Sequence, residues 1–468
     1  MDASLSAGFI TNKNNTSLKL CETEFHFSTI LILIFVLEAA RIVSDGYIKM
    51  SMAAPSSLLK VEEIQGRGRG MVASQPLKAG QIVLRDSPIL LYSALPLVRQ
   101  SLSSSSSSAS TSCFCDHCFR ILSPSLQGDS SSSTVLCPNC RHHCFCNSNC
   151  LSNALNSSHS SWVCQALSHL RANSLLLEQP LEHQVQVNFL VAAYNLANIS
   201  PSDFQIMLSL QGSPDDSTIA AAQFLHPLIS SLCSLALIGP QNGFSLELTS
   251  AILAKDKLNA FGIMQPFSEH DDQRSVRAYG IYPYASFFNH DCLPNACRFD
   301  YVDANPSDDS HNTDFIIRMI HDVPQGREIC LSYFPVNEKY SSRQKRLIED
   351  YGFTCNCDRC NVESNWSDND SVEDNAEEEE EVMDEDQCET MAASDTDDHP
   401  HEDNNDFPHA YFFLKYMCDR TNCWGTLAPL PPQGDTPCNV MECNVCGKLK
   451  SDNTFDIDEG QDEVSMED

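Results

Sequence analysis

Short-spaced cysteines constrain this chain more than any other feature. Cys115 and Cys118, Cys137 and Cys140, and Cys146 and Cys150 follow one another closely, with His159 and Cys164 just behind. A second island holds Cys355, Cys357 and Cys360, and a third holds Cys418, Cys423, Cys443 and Cys446. The chain has 23 cysteines in 468 residues, too long and too clustered for the disulfide framework of a small secreted domain. Steps of this kind beside histidine are the spacings of structural zinc, which takes four Cys or His ligands. The first island supplies eight ligands and few apolar residues, so metal binding must contribute its folding free energy. Interleaved pairing is favoured: Cys115, Cys118, Cys146 and Cys150 on one zinc, and Cys137, Cys140, His159 and Cys164 on the other. His142, His143 and Cys144 are close enough to rival His159, and Cys113 reads as a bystander. The second island offers three ligands where a closed site wants four, and Cys292 is the best fourth. With Cys418, Cys423, Cys443 and Cys446, the count is about four Zn2+ per chain.

Charge is just as unevenly placed. The formal net charge is -34, yet residues 363–406 carry 20 Asp and Glu with no Lys or Arg, and residues 451–468 carry 8 more with none. Such segments bury too little apolar surface to fold, and they read as a disordered acidic linker and tail. A chain of this charge is poorly suited to following a phosphate backbone. Only Arg120 and Arg141 are basic between residues 113 and 164, so no direct nucleic-acid contact is expected and a DNA-reading finger is the weakest reading. Residues 1–57 read as an N-terminal extension, disordered or a short apolar helix, with Met50 or Met52 a natural start. Its apolar run at 25–40 is too short in its core for a spanning helix and has no convincing basic segment before it, so stable membrane insertion is not expected.

Between these ends the pattern alternates. Residues 58–112 predict two or three short strands joined by Gly and Pro turns, then a flexible loop at the serine run Ser103 to Ser108. The cysteine island spans 113–164. Residues 165–258 have helical apolar spacing and no catalytic constellation; they read as core or one wall of a cleft, with Cys233 a small buried side chain. Residues 259–335 return to strands and loops. Residues 336–362 predict a helix and a cysteine-rich stop, and a ribbon-like cysteine module occupies 407–450.

Four separated pieces suggest chemistry: Gly66-Arg67-Gly68-Arg69-Gly70; Asn289-His290-Asp291-Cys292-Leu293-Pro294-Asn295; Gly326-Arg327-Glu328 running to Ser332-Tyr333; and Tyr351-Gly352-Phe353-Thr354-Cys355. The glycine-rich piece lacks the spacing of a dinucleotide-binding turn. In this order, around a cysteine-rich finger and a helical segment, the pieces resemble the SET- and MYND-domain protein-lysine methyltransferases, their plant branch most. The resemblance covers residues 58–361. It implies an α+β fold: a β-rich SET domain in two parts (58–112 and 259–335), split by a MYND-type zinc finger (113–164) and a helical insert (165–258). A post-SET zinc segment (336–362) and a zinc-ribbon-like module (407–450) follow. The finger ends H-x4-C where the family usually has H-x3-C.

The resemblance also implies S-adenosyl-L-methionine as methyl donor and lysine side chains of histone or other proteins as acceptors. Arg67, Gly68, Arg69, Asn259, Ser286, Asn289, His290, Tyr333 and Phe353 align with donor-binding positions. Tyr333 and Tyr351 align with active-site aromatics. Methyl transfer to an amine needs alignment and no covalent intermediate, so the lack of a nucleophile–base pair is no objection. The acceptor lysine, ordinarily near pKa 10.4, must react neutral, and an apolar aromatic channel favours that form. A lone aromatic is as readily core packing as function, and a lone histidine more often structural. A rival reading is a non-catalytic MYND/SET adaptor that binds protein partners, for example in transcriptional regulation. Proline-rich peptides are expected partners of the finger, a monomer the expected state, and nucleus or cytoplasm the expected location. The long C-terminal helical array of animal relatives is not expected in this chain, so substrate choice is not expected to transfer from them.

Overall fold

The computed structural model describes residues 57–97, 113–122, 134–235, 244–268, 274–304, 311–365, 410–432, 434 and 438–451. The N-terminal extension, the serine run and nearly all of both acidic segments lie outside the described residues.

Four strands form before the finger, where the sequence predicts two or three: β1 (Leu59–Ile64), β2 (Gly68–Ala73), β3 (Ile82–Asp86) and β4 (Leu90–Ser93). The short run between Pro88 and Pro96 becomes β4 only because it pairs with β10 (Val276–Ile281), nearly two hundred residues away and invisible to local pattern. β1 and β2 make an antiparallel hairpin whose register runs from Leu59↔Ala73 to Ile64↔Gly68, putting Arg67 at its tip.

Three small sheets build the β-rich body. The first is ordered β1-β2-β14-β11, with β14 at Glu328–Leu331 and β11 at Asn289–His290. The second is β4-β10-β9, with β9 at Ala260–Met264, and the third is β12-β13-β3, with β12 at Ala296–Asp300 and β13 at Phe315–Met319. β11 and β14 are parallel, Asn289 opposite Cys330 and His290 opposite Leu331. Two motifs far apart in sequence thereby become neighbours.

The helices of the insert share the sheets' core. Helix Leu181–Ile199 starts after Pro180 and buries Val187, Leu190, Val191 and Tyr194. Its Asn188 Nδ2 donates to the carbonyls of Ser93 (3.1 Å) and Leu95 (3.1 Å) at the end of β4. Leu190, Tyr194, Leu225 and Ile252 pack in one cluster with Leu59, Met71, Tyr92 and Ile317 of the strands. Each such side chain removed from water contributes about 1.5–3 kcal/mol, so insert and sheets stabilise one another. Cys233 is buried among them.

In the cysteine island, hairpins β5 (Cys113–Phe114) with β6 (Ile121–Leu122) and β7 (Val135–Leu136) with β8 (Cys144–Phe145) precede helix Ser148–Leu155, which is capped by the Asn147 side chain. Helix Ser161–Arg171 crosses the expected boundary at 164: it holds Cys164 and also Trp162, Leu167 and Leu170 of the main core. The island is docked by Arg277, whose Nη1 donates to Phe119 O (2.8 Å) and pairs with Asp303 (2.9 Å). Helix Tyr340–Arg346 widens into a π-helical turn at Leu347–Tyr351, and Gly352 ends it in the left-handed region (φ +77°). The C-terminal module has helix Ala410–Tyr416 and a sheet β15 (Leu427–Pro429), β16 (Val440–Cys443) and β17 (Leu449–Ser451). Among the described residues no helix is long and apolar enough to cross a membrane.

Candidate active site and metal centres

Four sets of ligand atoms converge, each set within 4.8 Å: Cys115, Cys118, Cys146, Cys150; Cys137, Cys140, His159, Cys164; Cys292, Cys355, Cys357, Cys360; and Cys418, Cys423, Cys443, Cys446. A tetrahedron of ~2.3 Å zinc–sulfur bonds has edges of ~3.8 Å. The Sγ separations agree: Cys118–Cys146 is 3.8 Å, Cys137–Cys164 is 3.9 Å, Cys292–Cys360 is 3.5 Å, Cys418–Cys446 is 3.7 Å and Cys423–Cys443 is 3.6 Å. The donor sets therefore fit four zinc ions.

The second set takes His159, not His142, His143 or Cys144. His143 has both ring nitrogens engaged, Nδ1 at 3.2 Å from Asp116 and Nε2 at 2.8 Å from Arg171, and its ring lies 4.2 Å from that of His159. Around the third set, Arg343 Nε donates to Cys292 Sγ (3.3 Å) and Gln344 Nε2 to Cys360 Sγ (3.3 Å). Arg343 is fully buried and pairs with Glu363 at 2.5 Å. Donors of this kind stabilise thiolate ligands and fix their orientation.

Cys292 lies two residues beyond His290, which carries the geometry from metal to cleft. His290 Nδ1 accepts the Tyr333 N–H (3.1 Å), so the ring proton sits on Nε2, 3.3 Å from Cys292 Sγ. Burial lowers the pKa of His290 to about 3, and the imidazole is neutral. His290 and Asn289 thus tie separate elements together.

The hairpin tip is fastened to the same strand. Arg67 Nη1 pairs with Glu328 (2.9 Å), and its Nη2 donates to His290 O (2.5 Å). Glu328 also accepts from Asn289 Nδ2 (2.8 Å). Gly70 leaves room for this junction, since a Cβ would lie 2.8 Å from Glu328 Oε1 and 2.9 Å from Asn289 Nδ2 and push both side chains aside. Arg69 reaches the other way, donating to Ser209 O (2.7 Å) with its guanidinium 4.9 Å from the Phe287 ring centre. Asn259 Nδ2 is spent on Gln211 O (2.7 Å) and Lys255 O (2.8 Å), leaving its Oδ1 for other partners. Lys255 Nζ holds Leu210 O (2.6 Å) and Gly212 O (2.8 Å).

These contacts frame a cleft of about 1010 Å³ whose lining includes Arg67, Gly68, Arg69, Asn259, Ser286, Asn289, His290, Tyr333, Tyr351 and Phe353. All nine residues expected on the donor side are brought to one cavity. A second cavity of about 380 Å³ is lined by Phe261, Met264, Phe288, Arg298, Trp424 and Val445, among others. The two share Leu258, Ser286, Tyr333 and Tyr351. The Tyr333 and Tyr351 rings are 4.8 Å apart, and Phe353 follows at 6.4 Å from Tyr351. Tyr333 donates its hydroxyl to Phe288 O (3.0 Å). Burial, then Tyr351 and Cys330, push its pKa well above the ordinary 10, so it is a neutral phenol at physiological pH. Ser286 Oγ donates to Tyr282 O (2.8 Å).

Sequence reasoning passes over four contributors. Glu328 stands inside a quoted motif, but its pairing with Arg67 needs the antiparallel β2–β14 contact, Glu328 opposite Val72. Leu210 and Gln211 of the helical insert line the larger cleft. Trp424 of the ribbon lines the smaller one, and its place between Cys423 and Gly425 is the one available hint.

Comparison with known proteins adds to this geometry. Residues 68–334 match the family model described as SET domain. The chain is 52% identical over 414 residues to histone-lysine N-methyltransferase ASHR2 of Arabidopsis thaliana, covering 86% of this chain and 97% of that one. It is 23% identical over 316 residues to histone-lysine N-methyltransferase ASHR1 of the same plant, covering 64% of this chain and 55% of that one. A SET and MYND domain-containing protein of Dictyostelium discoideum is 27% identical over 119 residues, 25% of this chain and 27% of its own length.

Proposed function

The chain belongs to the SET-domain family, and from that premise we propose that it methylates lysine side chains of histone or other proteins with S-adenosyl-L-methionine as donor. One observation carries the reading: two cavities meet at Tyr333 and Tyr351, the larger framed by the glycine hairpin and the Asn289-His290 strand.

The donor supplies an electrophilic sulfonium methyl. Arg67, Gly68, Arg69, Asn259, Ser286, Asn289, His290 and Phe353 would hold it in the larger cleft. Their mutual ties to Glu328, Ser209 and Gln211 fix that wall before ligand arrives, so little ordering cost remains at the moment of binding. The acceptor lysine enters from the smaller cavity. No Asp or Glu lines that cavity, so no carboxylate there holds the lysine as an ammonium against the neutral amine that reacts. Tyr333 stays protonated and spends its hydrogen on Phe288 O. Its oxygen lone pairs remain to accept from the amine and to attract positive charge beside it. Tyr333 therefore orients and stabilises; its raised pKa argues against a resident phenolate base, and the lysine proton leaves to solvent.

Residues 113–164 act as a MYND-type finger inserted into the SET domain, continued into helix Ser161–Arg171 and taking proline-rich peptides. Residues 336–362 act as the post-SET zinc segment. The protein works as a monomer, in the nucleus or cytoplasm, without binding nucleic acid directly. The decisive experiment is methyl transfer from labelled donor to a histone mixture and a whole-protein extract, with Tyr333→Phe as control. No transfer, together with no donor binding by calorimetry, defeats the enzyme reading and leaves the adaptor.

A further inference from the structure

The ribbon is bolted to the body. Glu442 of β16 pairs with Arg318 (2.9 Å), a side chain only 2% exposed, and accepts from the Tyr301 hydroxyl (2.9 Å). Asn444 Nδ2 donates to Arg298 O (3.1 Å), while its Oδ1 accepts from Thr426 N (2.8 Å). Leu427 and Met441 share an apolar cluster with Phe299 and Ile320 of the body. The ribbon face that meets the smaller cavity is therefore fixed relative to Tyr333.

On that face stands Trp424, 53% exposed although it sits between a ligand cysteine and a glycine in a packed module. Gly425 cannot carry a side chain, since a Cβ would fall 2.3 Å from Cys443 Sγ. The knuckle backbone is thus held against its own metal set, and the indole is presented outward beside Val445, on the cavity that also holds Tyr333. A large aromatic left half in water on a rigid mount is the arrangement of a binding anchor.

The charges around it select the occupant. No carboxylate lines the cavity, so a basic neighbour of the target lysine finds no counter-ion. Both lining cations are engaged: Lys257 with Asp215 (2.7 Å), and Arg298 with Asp300 (3.7 Å) and over the Phe315 ring (4.4 Å). An acidic neighbour must therefore compete with a carboxylate already in place at each cation. Resting on the methyltransferase reading, we infer that Trp424 and Val445 form a specificity subsite on the ribbon that takes an apolar side chain flanking the target lysine.

The test uses the full chain, labelled donor and lysine-centred peptides in which each flanking position in turn is Leu, Phe, Ser, Glu or Lys. Burying a leucine or phenylalanine on one partly exposed wall should raise kcat/KM by roughly 5–10-fold over Glu or Lys at one flank. Trp424→Ala should flatten that ratio below about 2-fold through KM, with kcat held, and Trp424→Phe should keep most of it. Zinc content and S-adenosylhomocysteine affinity must match the parent, which separates a lost subsite from a lost fold. A Trp424→Ala profile equal to the parent's, or a parent that prefers Lys or Glu at every flank, overturns the subsite. Fluorescence anisotropy with the same labelled peptides separates the two readings. Apolar-selective binding that Trp424→Ala abolishes, without any transfer, supports the subsite and sinks the methyltransferase. No selectivity in binding or rate sinks the subsite.

Discussion

Replacing Glu328 by Gln removes one charge from the donor-side wall and turns one of its two acceptor oxygens into an N–H donor. The new amide oxygen can still accept from Asn289 Nδ2, now at 2.8 Å from the carboxylate. The loss falls on the 2.9 Å pair with Arg67. A fully buried pair broken on one side costs ~3–5 kcal/mol, and an exposed one ~0–1. Glu328 is 13% exposed but Arg67 is 36% exposed, so solvent screens the pair and about 1 kcal/mol is the fitting figure. If the pair holds the hairpin tip in its binding position, that energy appears as ~5-fold weaker binding of S-adenosylhomocysteine. Titration calorimetry on the parent, Glu328→Gln, Arg67→Met and the double variant measures it. Arg67→Met should cost more, since it also loses the bond to His290 O. The double variant should then be no worse than Arg67→Met alone, because each single change breaks the same pair. The Glu328→Gln effect should also shrink as salt is raised. Additive losses in the double variant, or unchanged affinity for Glu328→Gln, would refute the argument.

Three further outcomes are expected. Cys292→Ser should lower zinc from four ions to about three per chain and lower activity with it, by metal analysis beside the transfer assay; four retained ions would contradict the ligand set. Tyr333→Phe removes the hydroxyl bonded to Phe288 O and should cut kcat by ~10–100-fold with zinc and donor affinity unchanged, and equal turnover would contradict its electrostatic role. Asp256 is half-buried and accepts from the Tyr92 hydroxyl (2.6 Å) beside Tyr279, and desolvation of its carboxyl raises its pKa from 3.8 to about 7. The unfolded chain ionises first, so stability falls as pH rises from about 4 to about 7. A tenfold difference in proton affinity between folded and unfolded chain is worth ~1.4 kcal/mol, and a discounted total of ~2 kcal/mol is expected. Denaturant unfolding between pH 5.5 and 8 should show a shallower decline for Asp256→Asn than for the parent; equal slopes would count against the assignment.

The metal ligands are legible because zinc imposes a count. Three cysteines in a row of ligand spacing demand a fourth, and that demand reaches Cys292 across more than sixty residues. Choosing His159 over His143 needs the fold, since only packing shows that Asp116 and Arg171 already occupy both nitrogens of His143. Motif resemblance finds the donor-side residues, but not their physics. Asn259 aligns with a donor contact, whereas its amide hydrogens clamp the backbone of the insert. Strand β4 escapes local pattern because its stability comes from pairing with β10 and from Asn188, neither of which leaves a periodicity. Trp424 does not stand out in the sequence, because nothing near it in the chain says that its indole shares a cavity with Arg298 and Tyr333.

The widened turn at Leu347–Tyr351 turns the placement of Tyr351 into a matter of counting. An α-helix advances about 100° per residue, so inserting one residue into a single turn moves everything after it around the axis by that angle. Gly352 ends the element immediately afterwards, so the rotation is delivered to Tyr351 and then to Phe353 and Cys355. The ring that meets Tyr333 and the cysteine that completes the third zinc set are indexed by the same extra residue. Positions between Tyr340 and Cys355 that touch neither site therefore tolerate substitution better than the segment tolerates a change in its length. A single deletion there would misalign the cleft and unseat a metal ligand at once, although every residue named in either site would still be present.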